Sequence, residues 1–238
     1  MSKLFLIRHA QASFLSKNYD NLSNHGHQQS TALGEFYAKK GLLFDKVYVG
    51  PLKRHHQTYQ RVKEAYEAAG LIFPTAIEYE ELKEYEGMDV MGEVRKDLEI
   101  HQPQFKAWFE ELDANPNHKT KMKMVVTYLH LWATNTLGFD LPAGAQTFAG
   151  FRATAERGLK KVMKGNEKGK TVAVFSSGGC IAAMLGKVLD LGSPEKTMGF
   201  NLVMRNTAIS EVLFSGSRLS LLTFNDLQHL KEEMITTM

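Results

Sequence analysis

The chain has 238 residues, 43% of them apolar and 23% charged, which is enough to bury one substantial core. Its net charge of +3 is spread along the sequence instead of gathered into a tail, so charge alone calls for neither nucleic acid nor membrane and suits small anionic substrates. A single cysteine excludes an internal disulfide and a cysteine-based zinc site, and a reducing cytoplasm is the expected compartment. In chain order, Leu4 to Ile7 is an apolar run cut off by Arg8, too short for a signal-peptide core or a membrane span, and it reads as a buried strand. A helix follows near His27 to Lys40, with Leu33, Phe36, Tyr37 and Lys40 at helical spacing. Lys46 to Val49 reads as the second strand, closed by Gly50 and Pro51, before a helix whose inner face carries Tyr59, Val62, Tyr66 and Ala69.

From about Met88 to Gly144 the alternation of strand and helix breaks. Helical patterns at Gln104 to Leu112 and Met122 to Leu137, separated by the turn Asn115, Pro116, Asn117, predict an inserted helical cap. Its apolar set of Val125, Tyr128, Leu129 and Trp132 is read as packing, because helical apolar stripes normally face cores. Thr171 to Phe175 predicts a strand covered on both faces, followed by a turn at Gly178 and Gly179 and a helix carrying Ile181, Met184, Leu185 and Val188. Ala208 to Phe214 and Leu219 to Phe224, flanking Ser215, Gly216 and Ser217, predict a hairpin or two edge strands. The expected fold is α/β: three layers, α/β/α, with a mostly parallel central sheet, residues 1–238 forming one domain and 88–144 a cap within it.

Ligands of such sheets gather outside the carboxyl ends of the strands. Those ends carry Arg8 and His9, then Pro51 to Arg54, then Ser176 to Gly179. Two planar guanidinium groups can grip phosphoryl oxygens in forked geometry, and a histidine between them is placed as an in-line nucleophile. Arg54 also falls near the start of a helix, where free N–H groups attract an anion.

Leu6-Ile7-Arg8-His9-Ala10-Gln11 resembles the Arg-His-Gly signature of the histidine phosphatase superfamily, which includes phosphoglycerate mutases and acid phosphatases, with Ala10 where glycine is usual. Leu22-Ser23 with Gly26 and Gln29 is similar to that family's next landmark, and Val47 through Arg54 with Gln57 and Thr58 resembles its second-arginine motif. The resemblance implies a phosphoglycerate mutase-like fold, phosphorylation of His9, and phosphoryl oxygens held by Arg8 and Arg54. It further implies an acid in Glu81-Leu82-Lys83-Glu84-Tyr85-Glu86-Gly87, for which Glu84 is the candidate and Glu81 and Glu86 are competitors. An alkoxide leaves poorly, and general acid help is worth about 10² to 10⁴ in rate. Ser177 and Gly178 would complete the substrate-binding set.

Ser177 stands where the family usually has a second catalytic histidine. A serine hydroxyl donates a hydrogen bond but stays neutral, whereas a full charge about 4 Å from phosphate contributes about 4 kcal/mol at an effective dielectric of about 20. The Ser-Gly-Gly version together with Ala12-Ser13-Phe14 is similar to one branch of the superfamily. The ending Asn225 to Leu230 is also family-like, and His229 and Asn206 are read as structural. His25 with His27, or His55 with His56, form no metal set and are explained as solvated helix-start positions. A Ser177, Asp226, His229 hydrolase triad has the right chain order, but Phe175 breaks the nucleophile elbow.

The implied activity is phosphomonoester hydrolysis through a phosphohistidine at His9. A phosphoglycerate mutase is disfavoured because no further basic cluster is dedicated to re-orienting a diacid. The alternative is a catalytically weak phosphate-ligand or protein-binding module of the same fold. The expected partner is a small phosphorylated substrate or phosphate, with no cofactor, metal, nucleic acid or membrane, and no oligomeric state is specified.

Overall fold

The computed structural model describes residues 1–13, 20–166 and 168–237, with the side chains of residues 87–89 left undescribed. Phe14 of the Ala12-Ser13-Phe14 stretch lies outside the described residues. Six strands form one sheet: β1 (Ser2–Arg8), β2 (Lys46–Val49), β3 (Ala76–Glu78), β4 (Thr171–Ser176), β5 (Ile209–Ser215) and β6 (Arg218–Asp226), in the order β3-β2-β4-β1-β5-β6. β3, β2, β4 and β1 run parallel, and β5 and β6 add antiparallel. β4 is buried along almost its whole length, as a β-branched run in a parallel sheet covered on both faces should be. β5 and β6 are the predicted hairpin, turning at Gly216, whose φ of +59° favours glycine.

On one face, α1 (Asn24–Lys39) and α2 (Lys53–Ala68) pack Leu33, Tyr37, Val62 and Tyr66 against Phe5, Ile7, Val47 and Phe175. Between β3 and the next sheet helix come α3 (Gly87–Glu93), α4 (Arg95–His101), α5 (Pro103–Ala114) and α6 (His118–Thr134), in the region expected to hold the cap. α7 (Phe148–Met163) and α8 (Gly178–Val188), followed by α9 (Pro194–Val203), complete the other face over Leu4, Leu6, Val172 and Val174. Alternating residues of each central strand thus feed two separate cores, which gives the expected three layers.

Caps explain most boundary shifts. Ser23 Oγ accepts the Gly26 N–H, so α1 begins three residues before the apolar periodicity suggests. Asn117, expected in a turn, caps α6 by accepting from Thr120 N–H, and Asn135 ends that helix in the left-handed region. Ala69, expected on the inner face of α2, is an exposed cap, and Ala65 is buried instead. Gly178 and Gly179, expected as a turn, already belong to α8. Three elements, β3, α7 and α9, lie outside the sequence-based expectations, although Phe148, Phe151, Ala155, Leu159 and Val162 of α7 recur at three- and four-residue intervals and are all buried.

Candidate active site

The sheet ladder carries the backbone directly into the site. Arg8 N–H donates to Ala208 O at 3.1 Å and His9 N–H to Ser176 O at 2.8 Å, so both residues are held by the ends of neighbouring strands. The His9 carbonyl accepts from Thr207 N–H at 3.3 Å and from Asn206 Nδ2 at 3.2 Å. Its ring Nδ1 lies 2.7 Å from Ala10 O. A carbonyl can only accept, so Nδ1 carries the proton and the neutral ring presents its lone pair at Nε2. Arg54 Nε donates to that nitrogen at 3.2 Å.

Three landmarks from the sequence form the layer behind His9. Thr58 Oγ1 accepts from Ala10 N–H at 3.1 Å and donates to Arg54 O at 2.7 Å, tying the histidine loop to the first turn of α2. Gln29 Oε1 accepts from Gln11 N–H at 2.9 Å. Gly26 presses so closely on this loop that a Cβ there would lie 2.1 Å from Gln11 O.

All four predicted phosphate-side residues come together, and Arg8, His9, Arg54 and Ser177 are all buried. Arg8 Nη1 donates to Met204 O, and its guanidinium lies along Gly178, where an added Cβ would sit 3.4 Å from Nε. Ser177 follows β4 and precedes α8, with Arg54 Nη2 3.4 Å from its Oγ. Glu84 reaches the same place: Oε2 accepts from Gly179 N–H at 3.0 Å, and a Cβ on Gly179 would lie 2.3 Å from Oε1. The glycine pair is therefore required by the close approach of Asn201 Oδ1, 2.5 Å from where a Cβ on Gly178 would lie, and of Glu84 at Gly179. The competitors point elsewhere, Glu81 to Lys161 and exposed Glu86 to Lys83 at 2.7 Å.

Burial, reinforced by Arg54 and Arg8, holds His9 well below the ordinary histidine pKa, so its imidazole is neutral near pH 7. Burial pushes Glu84 above the usual carboxylate range, against the opposing pull of the Gly179 N–H and Arg54. A neutral imidazole and a carboxyl group that retains its proton longer than usual are the protonation states of a nucleophile and a general acid. Cys180 is buried with its thiol pushed up to about 12 by desolvation, which makes it inert.

Two residues at the site were not assigned to it by sequence reasoning. Asp20 pairs with Arg54, Oδ1 to Nη1 at 2.8 Å, and its Oδ2 accepts from Lys53 N–H at 2.9 Å. His55 was expected to be solvated, yet it is fully buried, with Nε2 2.6 Å from Ser177 Oγ and its ring centroid 5.7 Å from that of His9. The reason is helical phase: in the first turn of α2, residue 54 enters the site, residue 55 turns under the sheet end, and exposed His56 reaches Glu78 at 2.7 Å. His25 is half-buried and bonds Met234 O at 3.1 Å. The Ser177 triad does not form, because His229 Nε2 bonds Thr207 Oγ1 at 2.9 Å while Ser177 has His55. No group of three or more metal-ligating side chains stands together among the described residues, and no helix there is long and apolar enough to cross a membrane.

A mostly parallel α/β sheet whose strand ends gather two buried guanidinium groups, a helix start and a neutral imidazole has the layout of a phosphate-handling α/β protein, with cationic donors around one unprotonated ring nitrogen. Residues 4–130 and 118–227 match the histidine phosphatase superfamily (branch 1), and the chain belongs to that superfamily. Its fold is similar to that of a phosphoserine phosphatase from Entamoeba histolytica crystallised with 3-phosphoglyceric acid, at 23% identity and a TM-score of 0.64 over 97% of this chain and 100% of the other. A mutant of the Entamoeba enzyme in complex with phosphoserine matches over the same shares at 22% identity and a TM-score of 0.63. It is also similar to a mycobacterial glucosyl-3-phosphoglycerate phosphatase in complex with inorganic phosphate, at 19% identity and a TM-score of 0.62 over 96% of this chain and 99% of the other. No curated protein matches in sequence.

Proposed function

We propose that the protein is a phosphomonoester hydrolase that works through a phosphohistidine at His9. The observation that carries this reading is the fixed tautomer of His9: Nδ1 is committed to Ala10 O, leaving the Nε2 lone pair beside Arg54. Arg8, Arg54 and the start of α8 grip the phosphoryl oxygens. His9 Nε2 attacks phosphorus and forms a P–N bond as the ester P–O bond breaks, and Glu84 gives its proton to the departing oxygen. Glu84, now a carboxylate, takes a proton from water, whose oxygen attacks phosphorus and releases phosphate and neutral His9. Ester and water are consumed; alcohol and phosphate are formed.

The substrates named for the similar structures, phosphoserine and glucosyl-3-phosphoglycerate among them, favour a small phosphorylated substrate here. Residues 88–144 are read as the cap that selects it. Tyr85, next to Glu84, packs its ring against Trp132 of α6 and Phe151 of α7, at 5.5 Å between centroids in both cases, so the acid's loop is braced by that region. Incubating wild type and His9→Ala with p-nitrophenyl phosphate tests the reading. Wild type is expected to turn over and to trap a phosphorylated protein on rapid alkaline quench, which spares the acid-labile P–N bond, and the variant to do neither; equal rates for the two proteins sink the proposal.

A further inference from the structure

The side chain of Ser177 carries an anomaly that the hydrolytic scheme leaves unused. It occupies the N-cap position of α8, where a serine normally accepts a backbone N–H of its own helix, yet it makes no such bond. Its oxygen instead faces two nitrogens, His55 Nε2 at 2.6 Å and Arg54 Nη2 at 3.4 Å. Arginine can only donate, so Arg54 takes one of the two hydroxyl lone pairs.

His55 has no exposure at all, and its Nδ1 is packed against Gly50, where an added Cβ would lie 2.4 Å away. A buried imidazole with one N–H toward a hydroxyl fixes that hydroxyl's direction. His55 Nδ1 has no hydrogen-bond partner, so a proton there would be buried and unmet; with the proton on Nε2 and donated to Ser177, both lone pairs of the hydroxyl are occupied and its proton is the only part of the group left to interact. It is then left to meet a phosphoryl oxygen held between Arg8 and Arg54.

We infer that His55 is a positioning residue: its Nε2–H bonds Ser177 Oγ and turns the Ser177 O–H onto the phosphoryl oxygen being transferred from substrate to His9. This inference rests on the hydrolytic reading above. The pair places an imidazole and a hydroxyl in series where relatives with a histidine at the Ser177 position have one ring, and it explains why His55 is buried at the one turn of α2 that also delivers Arg54. An O–H aimed at the equatorial oxygens gains most when charge builds there in the transition state, so the effect belongs in kcat more than in KM.

Steady-state kinetics on p-nitrophenyl phosphate with His55→Leu, His55→Gln, Ser177→Ala and His9→Ala test it, with inorganic phosphate inhibition as a check that each variant keeps its site. His55→Leu removes the donor and is expected to lower kcat by about tenfold or more with KM within about twofold, as loss of one oriented donor costs at most about 10² to 10³. His55→Gln, whose amide N–H can reach the same oxygen, is expected to recover most of that loss. In the Ser177→Ala background, His55→Leu is expected to add no further loss, because the group it orients is gone.

Equal rates for wild type and His9→Ala overturn the hydrolytic reading and this inference with it. Normal wild-type turnover with an unchanged kcat in His55→Leu, a loss confined to KM, or a His55→Gln no better than leucine overturns the inference alone. Should His55→Leu fail to fold, Ser177→Ala removes the same relay by deleting a single oxygen, and an unchanged kcat there is equally fatal.

Discussion

Arg54 Nε lies 3.2 Å from His9 Nε2 while Nη1 of the same guanidinium lies 2.8 Å from Asp20 Oδ1, so one planar group links the His9 ring to a carboxylate. Each nitrogen of the fork has a separate task, Nη2 facing Ser177 at 3.4 Å. A lysine carries the same charge but has its three donors on one nitrogen, so it cannot span the places of Nε, Nη1 and Nη2. Arg54→Lys is therefore expected to lower kcat/KM for p-nitrophenyl phosphate by about 10²-fold and to weaken inhibition by phosphate. Retention of more than half the wild-type kcat/KM would show that charge alone matters at this position.

Glu84 offers a test that separates the two roles proposed for it by leaving group. Nitrophenolate departs without protonation, whereas an alkyl alcohol needs the acid. Glu84→Gln is expected to lower turnover of phosphoserine by about 10² to 10⁴, the ordinary worth of a positioned acid. With p-nitrophenyl phosphate the first step survives and hydrolysis of the phosphohistidine, which needs the carboxylate as base, becomes limiting. Rapid mixing should then show a burst close to one nitrophenolate per protein. Equal losses on both substrates and no burst would remove Glu84 from the acid role. The raised pKa of this group also sets the pH dependence: as pH rises through it, the acid form is lost, so kcat/KM for alkyl phosphates should fall while that for the aryl ester falls less.

The mostly parallel character of the sheet and the placement of Arg8, His9 and Arg54 at strand ends were readable because they depend on short local signals: apolar β-branched runs, turn residues after them, and the rule that parallel strands deliver their ends to one edge. Glu84 was readable only as one of three neighbouring carboxylates, since choosing among them depends on which way a short 3₁₀ turn at Glu80–Leu82 aims the chain. His55 was misread for a related reason. Its neighbours in sequence are polar, so nothing local marks it as buried; what buries it is the packing of the α2 start against Gly50 and Ser177, residues from two other strand ends. Asp20 had no periodicity to reveal it; its bonds to Arg54 and Lys53 tie it to the site. α7, by contrast, carried a clear apolar stripe and needed no tertiary information.

Gly26 provides a test of the layer behind His9. An added methyl would meet the Gln11 carbonyl, which is backbone and cannot swing aside. Gly26→Ala is expected to cost about 1 to 3 kcal/mol of stability as the loop after His9 is pushed from α1, more than any gain from helix propensity. Urea melts would register this as a lower midpoint, and activity should fall with it because Ala10 O, which holds the His9 tautomer, belongs to the displaced loop. A wild-type midpoint would mean that α1 and the loop separate more readily than their contact implies.

His229 is buried at the opposite side of the Asn206-Thr207 turn, bonded to Thr207 Oγ1, and burial lowers its pKa to about 4. An unfolded histidine titrates near 6.5. Between those values the unfolded chain binds the extra proton, so stability falls as pH drops from about 6.5 towards about 4 and is fully present above 6.5. The loss assignable to this ring is about 2 kcal/mol by pH 5. His9 and His55, also held below the usual range by burial, act in the same direction, whereas Glu84, held above it, opposes them. Comparing wild type with His229→Gln isolates the one ring: urea melts at pH 7 and pH 5 should show a smaller pH-dependent drop in the variant by about that amount. An identical drop in both proteins would mean that His229 takes up a proton without leaving its place, and that the turn holding the His9 carbonyl tolerates a charge.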